Sequence, residues 1–317
     1  MNRHNKRDAG KTKQKANLKQ EKHMQTKQSV TNSNNHQPST ACTEKHAAMK
    51  LPIRSTVIAV FGLLSTLLPV SQSAHAQSDV AGNFVAPAVF QAAGPIAASI
   101  QTSVDAFRAA LGNPNNGNNP GPLQNGRREI NWDGGNPNLL DTTAPVNPFL
   151  VFLNTRGSQF KTPGLGLSQA PRAGGAQGGL FVLFGNPTYG KIFTAFSPSR
   201  LFTPVGSNIT EASFSIPGTN GTVPATVRGF GAVFTDVDQA STLVEYFDAG
   251  GKLLFSGFVP ASPGDGSLSF FGIVFKDARI ARVRIETGNV APGPNDDPGH
   301  DIVMMDDFLY GEPQLLH

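Results

Sequence analysis

Cysteine is nearly missing from this chain, and histidine is nearly missing beyond residue 76. The single cysteine is Cys42, and beyond residue 76 the histidines are His300 and His317. Without thiols there is no disulfide framework, no thiol nucleophile and no cysteine-based metal site in that region. A Ser-His-Asp triad would have to use one of two histidines, and no G-x-S-x-G elbow accompanies them. Zinc motifs of the H-E-x-x-H type, a phosphate-binding P-loop and a dinucleotide fingerprint are also lacking. Chemistry that needs histidine or cysteine is therefore disfavoured, and carboxylates are what remains.

Long apolar runs are equally scarce. The one run is 56–70, preceded by Met49-Lys50-Leu51-Pro52-Ile53-Arg54 and followed by Ala74-His75-Ala76. A membrane-spanning helix takes about 20 apolar residues. A positive start, a shorter apolar stretch and a small-x-small site instead make 49–76 a secretory signal with cleavage before Gln77. Residues 1–48 are rich in Lys, Gln, Asn and Thr and lack apolar clusters, so they read as a disordered basic leader. An initiation site assigned too early, with translation from Met49 or Met24, accounts for them. A retained arm for nucleic acid or anionic lipid is the competing reading.

Charge follows the same division. The whole chain has a formal net charge of +4, but 14 basic and 19 acidic residues lie beyond residue 76, a net of −5. An acidic exported chain argues against nucleic acid as partner. The 241 residues after position 76 suffice to bury roughly 70–75% of the unfolded surface.

Within 77–126, Ile100, Val104, Phe107 and Leu111 recur at helical spacing, so a helix is expected over 96–111, stopped by Gly112. An Asn-, Pro- and Gly-rich linker follows. From Arg127 to Pro313 the pattern becomes that of strands. The expected strands begin at 127–133 and continue at 158–162, 179–184, 191–196 and 211–216. They resume at 227–234, 242–248, 253–259, 267–276, 280–287 and 301–310, with a short helix near 147–154. Val283 and Ile285 alternate with Arg282, Arg284 and Glu286, which marks a sheet with one solvent-facing side. Short strands and Gly/Pro turns at even spacing indicate a mostly β, antiparallel sandwich with one N-terminal helix.

The segments REINWDG, GFGAVFTDVD, EYFDAGGKLL, SFFGIVF and MMDDFLYGEP resemble secreted bacterial β-sandwich modules of the jelly-roll, galactose-binding-like kind. They are similar too to ectodomains of proteins with a PEP-CTERM sorting signal. The resemblance covers about 127–313. After Pro313 only Gln-Leu-Leu-His remain, without an apolar anchor, so no stable membrane attachment is expected after signal cleavage. The resemblance implies a structural calcium ion between the first and last strands, and Glu129, Asp306 and Asp307 match that position.

The residues themselves leave two uses for the acids. Calcium takes six to eight oxygen ligands. A glycosidase needs two carboxyls across a cleft, roughly 5–9.5 Å apart. Glu129 with Asp133, Asp236 with Asp238, and Asp296, Asp297 and Asp301 with Asp306 and Asp307 are the candidate groups. In an ideal strand Asp306 and Asp307 point to opposite faces, so one would be buried unless a bulge re-aims it. Trp132, Tyr189, Tyr246 and Tyr310 are candidates for a sugar-stacking platform or for the core, and aromatic strand residues favour the core. The function expected is a secreted or periplasmic, non-catalytic binding or structural module, calcium-stabilised and recognising extracellular or envelope polysaccharide. The alternative is a secreted glycan hydrolase using paired carboxylates.

Overall fold

A computed structural model describes residues 86–133, 144–175, 178–294 and 299–316. The leader 1–48, the signal segment 49–76, and Asp296 and Asp297 lie outside the described residues. The fold is mostly β, with antiparallel sheets packed face to face as a sandwich. Fourteen strands are present among the described residues: β1 (Ala88–Gly94), β2 (Arg127–Ile130), β3 (Ser158–Lys161), β4 (Gly166–Pro171), β5 (Arg200–Val205), β6 (Ile209–Phe214), β7 (Ala225–Thr226), β8 (Gly229–Thr235), β9 (Leu243–Phe247), β10 (Leu253–Phe258), β11 (Leu268–Val274), β12 (Arg282–Glu286), β13 (Met304–Gly311) and β14 (Gln314–Leu315). One sheet runs β1-β11-β8-β13-β5-β4, with β2 also paired to β13. The second runs β10-β9-β12-β6-β3, and β14 pairs with β7.

Alternation explains the second sheet. Val283 and Ile285 of β12 are buried with Val244 and Tyr246 of β9 and Ala212 and Phe214 of β6. The outward positions carry ion pairs, Arg282–Glu211 at 2.8 Å and Arg284–Glu245 at 2.9 Å. Strands β8, β11 and β13 are buried along their whole length, because the first sheet is covered on both faces. One face meets the second sheet. The other is covered by helix α1 (Ala97–Leu111), whose buried residues are Ile100, Val104, Phe107 and Leu111, the four marked by the sequence spacing.

Glycines make that helix fit. A Cβ on Gly231 would lie 2.9 Å from the Phe107 ring, and one on Gly272 would lie 2.8 Å from it. The two glycines are directly paired across β8 and β11. They form a flat floor for the Phe107 ring, which also meets Phe90 and Phe270 edge-on. Strand β1 pairs with β11 and leads into α1, so the region before Arg127 contributes an edge strand and a covering helix to the sandwich.

Two expected strands do not form: one is helical, and of the other only the first two residues belong to a helix. Residues 179–184 contain α3 (Gly179–Leu183) and 191–196 overlap α4 (Tyr189–Ile192); α2 (Leu153–Arg156) lies near the expected short helix. Leu180 and Phe184 are four apart, and Tyr189, Ile192 and Phe193 are three and four apart. All five pack with Ala170, Leu201, Ile302 and Met304. That spacing is helical, and β-favouring residue types concealed it in runs of only six residues.

Candidate functional site

Strand β13 changes neighbours along one edge. Met305 pairs with Phe202 of β5, whereas Phe308 to Gly311 pair with β2. On its other edge Met305 faces Phe234 and Phe308 faces Ala232 of β8, so Asp306 and Asp307 together oppose Val233. This is a β-bulge of two residues against one. It places Met305 and Phe308 in the same inter-sheet core while Met304 and Leu309 join the packing on the outer face. The alternation of an ideal strand would have separated Met305 from Phe308.

A bulge leaves backbone groups without ladder partners. Here the Trp132 indole supplies one, its Nε1 donating to the Asp306 carbonyl at 3.0 Å. Trp132 stacks on Phe202 with ring centres 3.8 Å apart and holds a left-handed φ of 62°. That backbone is unusual for a bulky residue. It turns the chain out of β2 so that Asp133 reaches the 196–200 loop.

The carboxylates of the bulge meet that loop. Asp306 Oδ2 accepts from the Phe196 amide at 2.6 Å and the Ser197 amide at 3.3 Å. Asp133 Oδ1 accepts from the amides of Ser199 and Arg200 at 2.6 and 2.9 Å. Around the Ser197 hydroxyl lie Asp307 Oδ1 at 2.5 Å, Asp133 Oδ2 at 3.1 Å, the Asn131 carbonyl at 3.3 Å and Asp306 Oδ1 at 3.4 Å. One hydroxyl proton serves one acceptor at a time, so four oxygens compete for it. Burial pushes the Asp306 carboxyl well above the usual carboxylate range, and the adjacent Asp307 pushes it further. Burial also raises Asp307, opposed by the Ser197 hydrogen bond.

Glu129 lies between two arginines. Its Oε2 is 3.1 Å from Arg108 Nη2 of α1, and its Oε1 is 2.6 Å from Arg127 Nε. Arg108 Nη2 also stands 3.7 Å from Asp307 Oδ2. Glu129 is therefore tied to two guanidinium groups, and Asp133 is the acid that shares the Ser197 hydroxyl with Asp306 and Asp307. Arg108, on the last turn of α1, and Ser197 were not singled out by the sequence. Arg108 sits one position after Phe107 on the helix, so only knowing that α1 lies across β13 would have drawn it in. Arg128 goes elsewhere, pairing with Glu312 through Nε–Oε2 and Nη2–Oε1 contacts of 2.7 Å each.

The other acidic group gathers at the far end of β8. Asp301 accepts from the Asp238 amide at 3.0 Å and from the Ser241 hydroxyl. Asp238 accepts from the Gly264 amide at 2.7 Å. These two acids hold loops. Asp236 is buried in a left-handed conformation, φ 68°, and its Oδ1 has no hydrogen-bond partner. Burial, then the charges of Asp238 and Asp265, push its carboxyl up to about 8.

The aromatic candidates are core residues. Trp132, Tyr189, Tyr246 and Tyr310 are each at most 1% exposed. Their polar ends are satisfied internally, as where Tyr246 donates to the Phe230 carbonyl and Tyr310 to the Arg156 carbonyl. They provide no stacking platform for a sugar.

Among the described residues, no group of three or more Asp, Glu, His or Cys side chains is arranged as it stands to hold a metal ion. No helix among them is long and apolar enough to cross a membrane. Comparison with known proteins finds no family model that matches the chain, and no curated protein or solved structure that resembles it significantly.

Proposed function

We propose that this protein is an exported, non-catalytic module, a jelly-roll-type sandwich that binds extracellular or envelope polysaccharide and is stabilised by calcium. The observation that carries the non-catalytic part is the internal engagement of its candidate acids other than Asp236. Asp133 and Asp306 accept backbone amides, Glu129 lies between two arginines, and Asp238 and Asp301 cap loops. Glycan hydrolysis needs one carboxyl free to donate and another to attack across a substrate-wide gap. Asp306 and Asp307 are neighbours on one bulge, sharing one serine hydroxyl, and offer no such gap.

The oxygen donors fit calcium in kind. Three carboxylates, a hydroxyl and a carbonyl meet at Ser197, and hard oxygen ligands are what calcium takes. Burial drives both bulge carboxyls toward protonation, and the charge of Asp307 adds to it at Asp306; a divalent cation relieves this. Asp133, Asp306 and Asp307 would hold the ion, and its chemistry there is charge neutralisation alone. Glu129, held by Arg108 and Arg127, would act at one remove. With the aromatic residues buried, sugar recognition falls to polar loops and pockets.

The test is a glycan array with the exported protein, with and without chelator, together with thermal melting against calcium. Glycan retention without turnover is expected, and calcium should raise the melting temperature in wild type but not in Asp306→Asn/Asp307→Asn. Extracellular calcium modules bind at about 10⁻⁴–10⁻³ M, so millimolar calcium should add on the order of 1 kcal/mol. Hydrolysis of any retained glycan would overturn the non-catalytic reading. A melting temperature indifferent to calcium and chelator would overturn the calcium reading.

A further inference from the structure

A cavity of about 360 Å³ opens between the end of α1, the 113–126 segment and β14, and Arg228 lies in its wall. That size falls within the range of small-molecule sites, roughly 300–1,000 Å³. The wall is mainly polar: Asn113, Gln124, Asn125, Glu312 and Gln314 contribute beside Arg228.

Arg228 is unmatched. Its Nε is buried without a hydrogen-bond partner, and among the described residues none of its nitrogens forms an ion pair. Its stem lies against Gly311, where a Cβ would stand 2.7 Å from Arg228 Cγ. Any side chain at 311 would displace the arginine from this position. Glu312, the one acid in the wall, does not neutralise it. Both Glu312 oxygens are taken by Arg128, with Asn116 Nδ2 at 2.8 Å and the Leu123 amide at 3.2 Å adding to them. The cavity is thus left with one uncompensated positive charge. A guanidinium is matched by a carboxylate, which can accept two parallel hydrogen bonds from its fork. The amides around it both donate and accept, as sugar hydroxyls require.

We propose that this cavity binds a uronic-acid residue of an acidic polysaccharide, with Arg228 receiving the sugar carboxylate and Gln124, Asn125 and Asn113 meeting its hydroxyls. The proposal rests on the polysaccharide-binding reading above and narrows it to carboxylated sugars.

The experiment is calorimetric titration of the full-length protein with trigalacturonate, trimannuronate and triguluronate, with the methyl ester of trigalacturonate, and with neutral maltotriose. At least one uronate should bind. The methyl ester, and maltotriose, should bind at least tenfold more weakly than trigalacturonate where trigalacturonate is the ligand. Arg228→Lys keeps the charge but not the fork and should lose about tenfold, Arg228→Gln more, with the melting temperature of both unchanged. Gln124→Ala, at an exposed position, should lose two- to fivefold. The assignment falls if Arg228→Gln binds the uronate as tightly as wild type, if the ester binds as tightly as the acid, or if no uronate binds at millimolar concentration. In that last case, retention of neutral glycans on the array would leave the polysaccharide reading standing without this cavity. Silence on every glycan would remove both.

Discussion

Replacing Glu312 by glutamine should be among the most damaging conservative changes in this protein. Arg128 and Glu312 are 0% and 2% exposed at the side chain and meet in a fork of two 2.7 Å contacts. The remaining Arg128 nitrogen, Nη1, donates to the carbonyls of Gly117 and Asn119 at 2.8 Å and of Thr155 at 3.3 Å. Those carbonyls belong to the 113–126 segment and to α2, so the pair fastens an otherwise irregular stretch to the ends of β2 and β13. Glu312→Gln keeps the shape and removes the charge, leaving a buried guanidinium uncompensated. Removing one partner of such a pair costs about 3–5 kcal/mol, against a total stability of roughly 5–15 kcal/mol. At about 2–4 °C per kcal/mol for a domain of this size, the melting temperature should fall by roughly 6–20 °C.

Arg128→Met/Glu312→Leu tests the origin of that loss. Apolar replacement of a buried pair is often neutral. Here it also strips partners from the Gly117 and Asn119 carbonyls and the Leu123 amide, each costing about 1–3 kcal/mol. The double variant should therefore stay destabilised, yet by less than the sum of the single changes. Thermal melting by circular dichroism reads the stability, and hydrogen exchange should show lost protection in 114–126 ahead of the sheets. A Glu312→Gln protein melting within 2 °C of wild type would refute the reasoning, as would loss of protection confined to the β-strands.

Four further changes probe three separate parts of the fold. The Asp236 carboxyl is raised to about 8, so between pH 4 and pH 8 the folded chain keeps a proton that the unfolded chain has released. Its contribution to stability is complete below pH 4 and is lost as pH rises through 8, so Asp236→Asn should raise the melting temperature by about 5 °C or more at pH 8.5 and little at pH 4 in calcium-free buffer; an equal effect at both would contradict the assignment. Gly231→Ala sets a methyl against the Phe107 ring and Gly272 and should cost about 1–3 kcal/mol. Phe107→Ala should cost about 3–5 kcal/mol, and denaturant melts of the double variant should be less than additive. Trp132→Phe removes the donor to the Asp306 carbonyl and should cost about 1–3 kcal/mol, detectable as a shift in the denaturant midpoint; no shift would mean that the bulge carbonyl finds another donor.

What the sequence disclosed was local. Ile100, Val104, Phe107 and Leu111 predict α1 because they are read from one helix. Val283 and Ile285 predict β12 because alternation is carried by one strand. Strand β1 was concealed by its alanines, which carry neither alternation nor β-favouring bulk, and its pairing with β11 joins Gln91 to Phe271. The adjacency of Asp306 and Asp307 signalled that something must re-aim one of them, and the bulge does so. The identity of their neighbours was not legible. Asp133, Ser197 and Arg108 lie far from them in the chain and arrive on three separate elements. Arg128 and Glu312 are likewise far apart in sequence, and an ion pair at that separation leaves no periodic trace.

The bulge in β13 also explains why the acids stand where they do. A strand that must pair with β5 at one end and β2 at the other has a gap between those neighbours, and the bulge falls at that gap. The 196–200 loop, which leads into β5, enters the gap, and its amides need acceptors once they leave any ladder. Asp306 and Asp133 are those acceptors. Their placement follows from where the sheet changes partner, without any requirement of catalysis. The same geometry concentrates negative charge at the one point where β2, β5, β13 and α1 meet. Arg108 answers part of it from α1. A cation at Ser197 would answer the rest, and any ligand bound only by the folded form stabilises that form in proportion to its occupancy. The calcium dependence proposed above for the seam thus turns on one physical requirement, that the bulge carboxylates be ionised when the sheet is closed.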